Sequence, residues 1–141
     1  MTIERDSELR EILGTIKTVA SVGVSSNPEK PSYGIFHYLK EHGYQMIPVN
    51  PTASEILGLK VYPDLASIPQ KVDVVQVFRK PEDVPPVVEQ AIRIGAKVVW
   101  MQEGVVNVEA AHQAEAAGLK VVMDRCMMAT HERLLNGLLH L

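Results

Sequence analysis

Apolar runs alternate with amphipathic segments along the whole chain. Residues 18–24 and 72–78 are rich in small and β-branched side chains, as is typical of strands buried on both faces of a parallel sheet. Between such runs, apolar residues recur at helical spacing, for example Ile35, Tyr38 and Leu39. Strands and helices that alternate through short connections predict a parallel sheet with right-handed crossovers.

Six strands and five helices follow from this pattern. The predicted strands span residues 18–24, 44–49, 59–62, 72–78, 97–101 and 119–123. Residues 55–58 are predicted to form one helical turn, and residues 127–135 a terminal helix. The candidate N-caps of the preceding helices are Asp6 or Ser7, Ser32, Asp83 and Asn107.

The common arrangement for six such strands is the doubly wound order 3-2-1-4-5-6. We therefore expect an α/β, Rossmann-like doubly wound parallel sheet in three layers, with residues 1–141 forming a single domain. In this order, successive strands are added first on one side of the first strand and then, from the fourth strand on, on its other side, and ligands bind beyond the carboxyl ends of the strands at the point where the order reverses. Residues 23–27 and 78–80 would flank the site, with Asn50 and residues 101–103 at neighbouring strand ends.

The turn after the first strand has the features of a phosphate-binding loop. Gly23 tolerates a positive φ and lets a ligand approach the backbone, and Ser25, Ser26 and Asn27 offer short polar side chains. The free N–H groups of the next helix would point at this loop. The two later glycines of a G-x-G-x-x-G fingerprint are missing, so a turn without a ligand remains the alternative.

The candidate ligand contacts favour a nucleotide that carries an additional phosphate. Asn50 stands where NAD-binding folds usually place an acidic residue, and an amide would not repel phosphate. Arg79, Lys80 and Lys30 add positive charge near the predicted loop, and Phe78 is near enough to stack on an adenine. The alternatives are solvated surface lysines and an arginine held in a structural ion pair.

Composition and charge narrow the classes of partner. The 141 residues are 46% hydrophobic and 22% charged, with a formal net charge of −3 and no basic run longer than two residues, which gives no reason to expect nucleic acid or an anionic membrane as partner. No apolar run approaches the about 18 residues of a membrane span, and the polar first residues do not resemble a secretory signal, so we expect a cytoplasmic protein.

Cysteine and histidine offer little catalytic or metal-binding chemistry. Cys126 is the single cysteine, which excludes an intramolecular disulfide, and the histidines lack metal-ligand spacing, so no metal site is predicted. Cys126 and His131, five residues apart, could form a nucleophile and its base, with Arg125 beside the thiol. The alternative for Cys126 is a small core residue among methionines.

Several short motifs in order resemble a known family. They are Val22-Gly23-Val24-Ser25, Lys30-Pro31-Ser32-Tyr33-Gly34, Val49-Asn50-Pro51, Val77-Phe78-Arg79, Val99-Trp100-Met101-Gln102 and Asp124-Arg125-Cys126. Together they resemble the small stand-alone CoA-binding proteins, a family similar to the N-terminal CoA-binding domain of the succinyl-CoA synthetase alpha subunit. Gln76, Glu103 and Thr130 depart from the family's usual residues.

The resemblance implies a Rossmann-like domain that binds coenzyme A or an acyl-CoA, with the nucleotide part over the Gly23 loop. The expected cofactor-binding residues are Gly23, Val24, Ser25, Ser26, Lys30, Tyr33, Asn50, Pro51, Phe78, Arg79, Lys80, Met101 and Gln102. In the synthetase, phosphohistidine chemistry belongs to a second domain, so we expect binding without catalysis. An enzyme using bound CoA and an interaction subunit with a vestigial cleft are the alternatives, with a homo-oligomer or a partner protein as further expectations.

Overall fold

The computed structural model describes residues 1–136 and contains a parallel sheet between layers of helices. Its strands are β1 (Thr18–Val22), β2 (Gln45–Val49), β3 (Glu55–Ile56), β4 (Leu59–Lys60), β5 (Val74–Val77), β6 (Val98–Met101) and β7 (Lys120–Val122). Its α-helices are α1 (Asp6–Thr15), α2 (Pro31–Glu41), α3 (Val84–Arg93), α4 (Val108–Ala116) and α5 (Met127–His131). Short 3-10 helices span Leu65–Ser67 and Pro81–Asp83, and one π-helical turn spans Glu132–Asn136.

The length of the predicted domain and the length of the helices can be compared with the structure over the described residues. The predicted single domain runs to residue 141, and its last five residues lie outside the described residues. The longest of the helices, α2, has 11 residues, and no described helix combines the length and the apolar character of a membrane span.

Five strands form the main sheet in the order β2-β1-β5-β6-β7, and all neighbouring strands run parallel. Val22, the last residue of β1, pairs with Val49 on one side and with Val77 on the other. The predicted reversal of strand order beside β1 is therefore confirmed, and so is the α/β Rossmann-like fold. The carboxyl ends of β1, β2 and β5 meet at one edge, where the loops gather.

The predicted strand over residues 59–62 is confirmed only for Leu59–Lys60, and its predicted third place in the main sheet is wrong. Residues 55–60 form a separate antiparallel hairpin of β3 and β4, whose two turn residues, Leu57 and Gly58, both have positive φ. This is the conformation that closes two-residue hairpins, so the predicted helical turn over residues 55–58 is also wrong. Only Tyr62 takes the third place in the sheet, through one parallel bridge to Val49, and Pro63 has no N–H to extend it.

Alternating side chains on the strands build two cores. Ala20, Val75 and Val99 pack with α3 and α4 on one face, and Val19, Val74 and Val98 pack with α1, α2 and α5 on the other. The three-layer prediction is therefore confirmed. Because successive strand residues point to opposite faces, Ser21 and Gln76 lie on the face covered by α1, α2 and α5.

The predicted helix starts hold only in part. Asn107 caps α4 by accepting a hydrogen bond from Ala110 N–H at 2.9 Å, as predicted. Ser32 is wrong as a cap, because α2 begins at Pro31, whose fixed φ suits the first turn. Asp83 makes no side-chain cap for α3, and Arg5 rather than Asp6 or Ser7 precedes α1.

Candidate functional site

The loop after β1 begins at a glycine that no other residue can replace without strain. Gly23 has φ of +89°, and a Cβ placed on it would collide with the carbonyl oxygen of Phe78. Its N–H bonds the Val49 carbonyl at 2.8 Å, and Phe78 N–H bonds the Val22 carbonyl at 2.8 Å. The ends of β1, β2 and β5 are thus held together at the place where the loop leaves the sheet.

Short polar side chains hold the loop in shape from within. Ser32 Oγ accepts a hydrogen bond from Ser25 N–H at 3.0 Å, and Ser25 Oγ accepts one from Asn27 N–H at 3.0 Å. Asn27 Oδ1 accepts from Glu29 N–H at 3.0 Å. A hydroxyl that accepts in this way keeps its own proton, so Ser25 and Ser32 each remain able to donate to a ligand.

The backbone N–H groups of Val24, Ser26 and Ser32, in and beside the loop, lack an acceptor among residues 1–136. Ser32 lies in the first turn of α2, where N–H groups have no intrahelical partner. Val24 is fully buried, so its N–H offers no surface that a ligand could reach. The accessible donors are therefore the N–H groups of Ser26 and Ser32, and free N–H groups of this kind favour the binding of an anion.

Asn50, directly after β2, fixes this loop from the neighbouring strand end. Its Nδ2 donates to the Val24 carbonyl at 2.9 Å, and its Oδ1 accepts from Thr52 N–H at 2.9 Å and Thr52 Oγ at 2.8 Å. Both ends of the amide are committed to the protein. In this structure Asn50 positions the loop, and its predicted contact with a ribose stays a prediction.

A cleft of about 600 Å³ opens between this loop and the ends of β5 and β6. The residues that line it come from three segments at the carboxyl edge of the sheet. They are Gly23, Ser25, Lys30, Pro31, Ser32, Phe78, Arg79, Lys80, Pro81, Asp83, Gln102, Glu103, Gly104 and Val105. The cleft lies where the reversal of strand order predicts a ligand site.

Three cationic side chains reach this cleft, namely Lys30, Arg79 and Lys80. Within the described chain, none of them has a carboxylate within 4.0 Å. The structural ion pair considered for Arg79 is therefore not formed among these residues. Asp83 and Glu103 bring negative charge to other parts of the same cleft, so its positive charge is local rather than general.

The structure brings many of the predicted site residues together and leaves others apart. Those that line the cleft are Gly23, Ser25, Lys30, Phe78, Arg79, Lys80 and Gln102. The side chains of Val24 and Met101 are fully buried in the two cores, and Tyr33, in the first turn of α2, packs against the core. Ser26 is exposed outside the cleft, and Pro51 lines a second cavity.

That second cavity, of about 210 Å³, lies on the other side of Arg79. Its walls include Val49 and Pro51 at the end of β2, Leu65, and Gln90 from α3. Because Arg79 lines both spaces, its guanidinium can serve a ligand that extends from one into the other.

Sequence reasoning missed part of the cleft wall. Pro81, Asp83, Gly104 and Val105 follow the ends of β5 and β6 by three to six residues, just beyond the segments predicted to flank the site. Ser32 was expected to cap a helix, yet it shapes the loop instead. The predicted strand order already indicated this edge of the sheet. Counting a few more residues past the end of each strand would have included these residues.

The proposed pairing of Cys126 with His131 is not formed. His131 is buried, and its Nδ1 bonds the Tyr38 hydroxyl at 2.9 Å rather than the thiol. Burial, with His42 nearby, lowers the pKa of His131 below its usual value. Cys126 lies partly exposed beside Arg125 and Thr130, in a cavity that shares Glu103 with the cleft.

Comparison with known proteins agrees with this geometry. A family described as a CoA binding domain matches residues 17–132, which include every strand and the whole cleft. An uncharacterized protein of Bacillus subtilis, YneT, is 39% identical over 125 residues, covering 89% of this chain and 93% of that protein. A solved hypothetical protein from Pyrococcus horikoshii superposes with a TM-score of 0.90 at 48% identity, covering 96% of this chain and 99% of that one.

A longer relative carries a function in its name. Acetate–CoA ligase [ADP-forming] II of Archaeoglobus fulgidus is 37% identical over 83 residues, or 57% of this chain. The matched part is 12% of that protein's length, so this chain corresponds to a small part of the ligase.

Proposed function

We propose that this chain, which belongs to the CoA binding domain family, binds coenzyme A or an acyl-CoA in the 600 Å³ cleft beside Gly23. The diphosphate of the nucleotide lies over the loop after β1. The observation that carries the proposal is the cleft wall itself: Lys30, Arg79 and Lys80 line it with no carboxylate within 4.0 Å among residues 1–136, and the Ser32 N–H beside them finds no acceptor there.

Phosphate oxygens satisfy such donors at the start of a helix. A helix N-terminus carries partial positive charge, and its free N–H groups point outward along the axis. Gly23 has no side chain to fill the space over the loop backbone, and the nearby Phe78 carbonyl leaves no room for a Cβ at this position. The hydroxyl protons of Ser25 and Ser32 add two donors in the same wall of the cleft.

The cations explain why the proposed ligand has more phosphate than NAD. Coenzyme A carries a diphosphate and a further phosphate on its ribose, and Lys30, Arg79 and Lys80 line the cleft without carboxylate partners among residues 1–136. Arginine binds phosphate through two parallel hydrogen bonds, and its position between the two cavities suits a ligand that bends around the end of β5.

We propose a binding role without a reaction of the chain's own. His131 is engaged by Tyr38, so among residues 1–136 the Cys126 thiol has no base in hydrogen-bond contact. The ligase activity named for the Archaeoglobus relative belongs to a much longer protein, of which this chain matches 12%. A partner protein, a second copy of the chain and a cytoplasmic location stay predictions from the sequence.

Calorimetric titration with CoA, dephospho-CoA and NAD tests the proposal. We expect CoA to bind most tightly, dephospho-CoA more weakly because it lacks the ribose phosphate, and NAD weakest. Equal affinity for all three ligands, or no binding of any, would contradict the proposal. Native mass spectrometry of protein purified without added ligand reports independently whether a cofactor of the mass of CoA is carried along.

A further inference from the structure

A chain of buried polar side chains runs beneath the cleft, from β1 through β5 to the end of β6. Ser21 Oγ bonds Gln76 Oε1 at 2.9 Å, and Gln76 Nε2 bonds Gln102 Oε1 at 3.0 Å. Ser21 and Gln76 are fully buried, and Gln102 is 4% exposed. Alternation along the strands places all of them on the face covered by α1, α2 and α5.

A backbone group fixes the direction of this chain. Met127 N–H, at the start of α5, bonds the same Gln102 oxygen at 2.9 Å. A backbone N–H can only donate, so the atom of Gln102 that faces it must be the carbonyl oxygen. Gln76 must then present its NH₂ group to that oxygen, and its own carbonyl must face the Ser21 hydroxyl.

The NH₂ group of Gln102 is thereby turned away from the protein network. Within the described chain Gln102 Nε2 has no hydrogen-bond acceptor, and Gln102 lines the cleft. Every described side-chain nitrogen or oxygen that is fully enclosed has a hydrogen-bond partner. Since Gln102 Nε2 has none among residues 1–136, this atom must be accessible to solvent. A donor on a residue that is 96% buried thus faces the cleft with nothing to bind.

We infer that Gln102 Nε2 is a specificity-determining donor that binds an uncharged carbonyl oxygen of the ligand, and that Gln76 is its positioning residue. The inference rests on the proposed function. In coenzyme A such oxygens belong to the two amides of the pantetheine arm, and an acyl-CoA adds the thioester carbonyl. Phosphate is the less suitable acceptor here, because the Glu103 carboxylate follows directly in sequence and lines the same cleft.

The position of Gln102 in the sheet agrees with this assignment. The cations that line the cleft follow β1 and β5, whereas Gln102 follows β6, one strand further along. Neighbouring strands lie about 5 Å apart, so a ligand whose phosphates lie at the loop after β1 would reach Gln102 with its arm.

The test compares CoA with adenosine 3′,5′-bisphosphate, which has adenine, ribose and phosphates but no pantetheine arm. Gln102→Glu is the matched variant, because one carboxylate oxygen still accepts from Gln76 and Met127 while the other has no proton to offer. We expect this variant to weaken CoA about tenfold and the bisphosphate less than about twofold. A general repulsion by the new charge would weaken both ligands, because both carry phosphates.

Side-chain amide signals in NMR spectra of the wild-type protein provide a second measurement that does not depend on a variant's stability. The Gln102 NH₂ signal should shift on addition of CoA and stay in place with the bisphosphate. Gln76→Met, which keeps the volume but removes the donor, should shift that signal in the free protein and weaken CoA more than the bisphosphate.

The outcomes separate the two claims. If wild-type protein binds neither CoA nor the bisphosphate, the proposed function fails. The binding function stands, and the inference about Gln102 is overturned, if wild-type protein binds CoA and either of two results is found. One is that Gln102→Glu weakens both ligands equally, and the other is that the Gln102 NH₂ signal does not shift on addition of CoA.

Discussion

Gly23 and Phe78 face each other across the ends of β1 and β5, with the Gly23 Cα against the Phe78 carbonyl oxygen and no room for a Cβ between them. This contact places the start of the loop after β1 directly against the end of β5. The conformation of this loop is therefore restricted by a contact between two backbone segments. The positions of the side chains that line the cleft depend on that conformation.

We expect Gly23→Ala to lower the free energy of unfolding by more than the about 1–3 kcal/mol of a strained backbone conformation, because the collision with Phe78 adds to the positive φ. CoA affinity should fall with it. Gly34→Ala is the matched control, since Gly34 lies within α2 and a Cβ there meets nothing within 4 Å. Alanine should stabilise that helix by about 0.5–1 kcal/mol. Urea denaturation of both variants measures the contrast, and equal effects would contradict it.

Arg79→Ala should weaken CoA by about 1.5–3 kcal/mol, the range for hydrogen bonds to charged groups. The guanidinium lines both cavities and has no carboxylate within 4.0 Å among residues 1–136. Arg93→Ala removes an exposed arginine from the end of α3 and should leave affinity unchanged. Calorimetry at two salt concentrations distinguishes a direct contact from general attraction. A loss shared equally by both variants would contradict a specific role for Arg79.

Asp73 should make stability depend on pH at the acid end. Partial burial raises the pKa of Asp73, but hydrogen bonds from Lys17 N–H at 2.8 Å and Thr18 N–H at 3.1 Å, with Lys97 nearby, lower it overall. A depressed folded pKa stabilises the fold fully above the unfolded value of about 3.9, and this stabilisation is lost as the pH falls through the folded pKa.

The measurement is the difference in free energy of unfolding between wild type and Asp73→Asn. We expect it to be largest above about pH 5 and to shrink as the carboxylate is protonated. Glu89→Gln, at an exposed position of α3, serves as control and should give no such difference. A difference that stays constant between pH 7 and pH 2 would refute this role for the Asp73 charge.

Cys126→Ser should leave CoA affinity within about twofold of wild type, because the thiol lies outside the cleft wall and has no base in contact within residues 1–136. Calorimetry measures this directly. A large loss of affinity, or a thiol-dependent turnover of an acyl-CoA that disappears in the variant, would favour the enzymatic alternative instead.

The sequence by itself determined the sheet and the edge at which the cleft lies. Uncharged β-branched runs have few stable arrangements other than strands covered on both faces, and the alternation with helices forces parallel crossovers. Gly23 and Arg79 could be located for the same reason, because each lies within two residues of the end of a strand that the hydrophobic pattern predicts.

Tertiary structure decided what depends on partners distant in the chain. Tyr62 joins the sheet through one bridge only. The residues before it are paired in the β3–β4 hairpin, and Pro63 after it has no N–H to donate. Ser32 binds the loop, and Asn50 holds Val24, because folding brings them within reach. The direction of the Gln102 amide is set by a backbone N–H 25 residues away, at Met127. Hydrophobic periodicity reports which face of an element is buried, whereas a hydrogen bond depends on distances that exist only after the elements have packed.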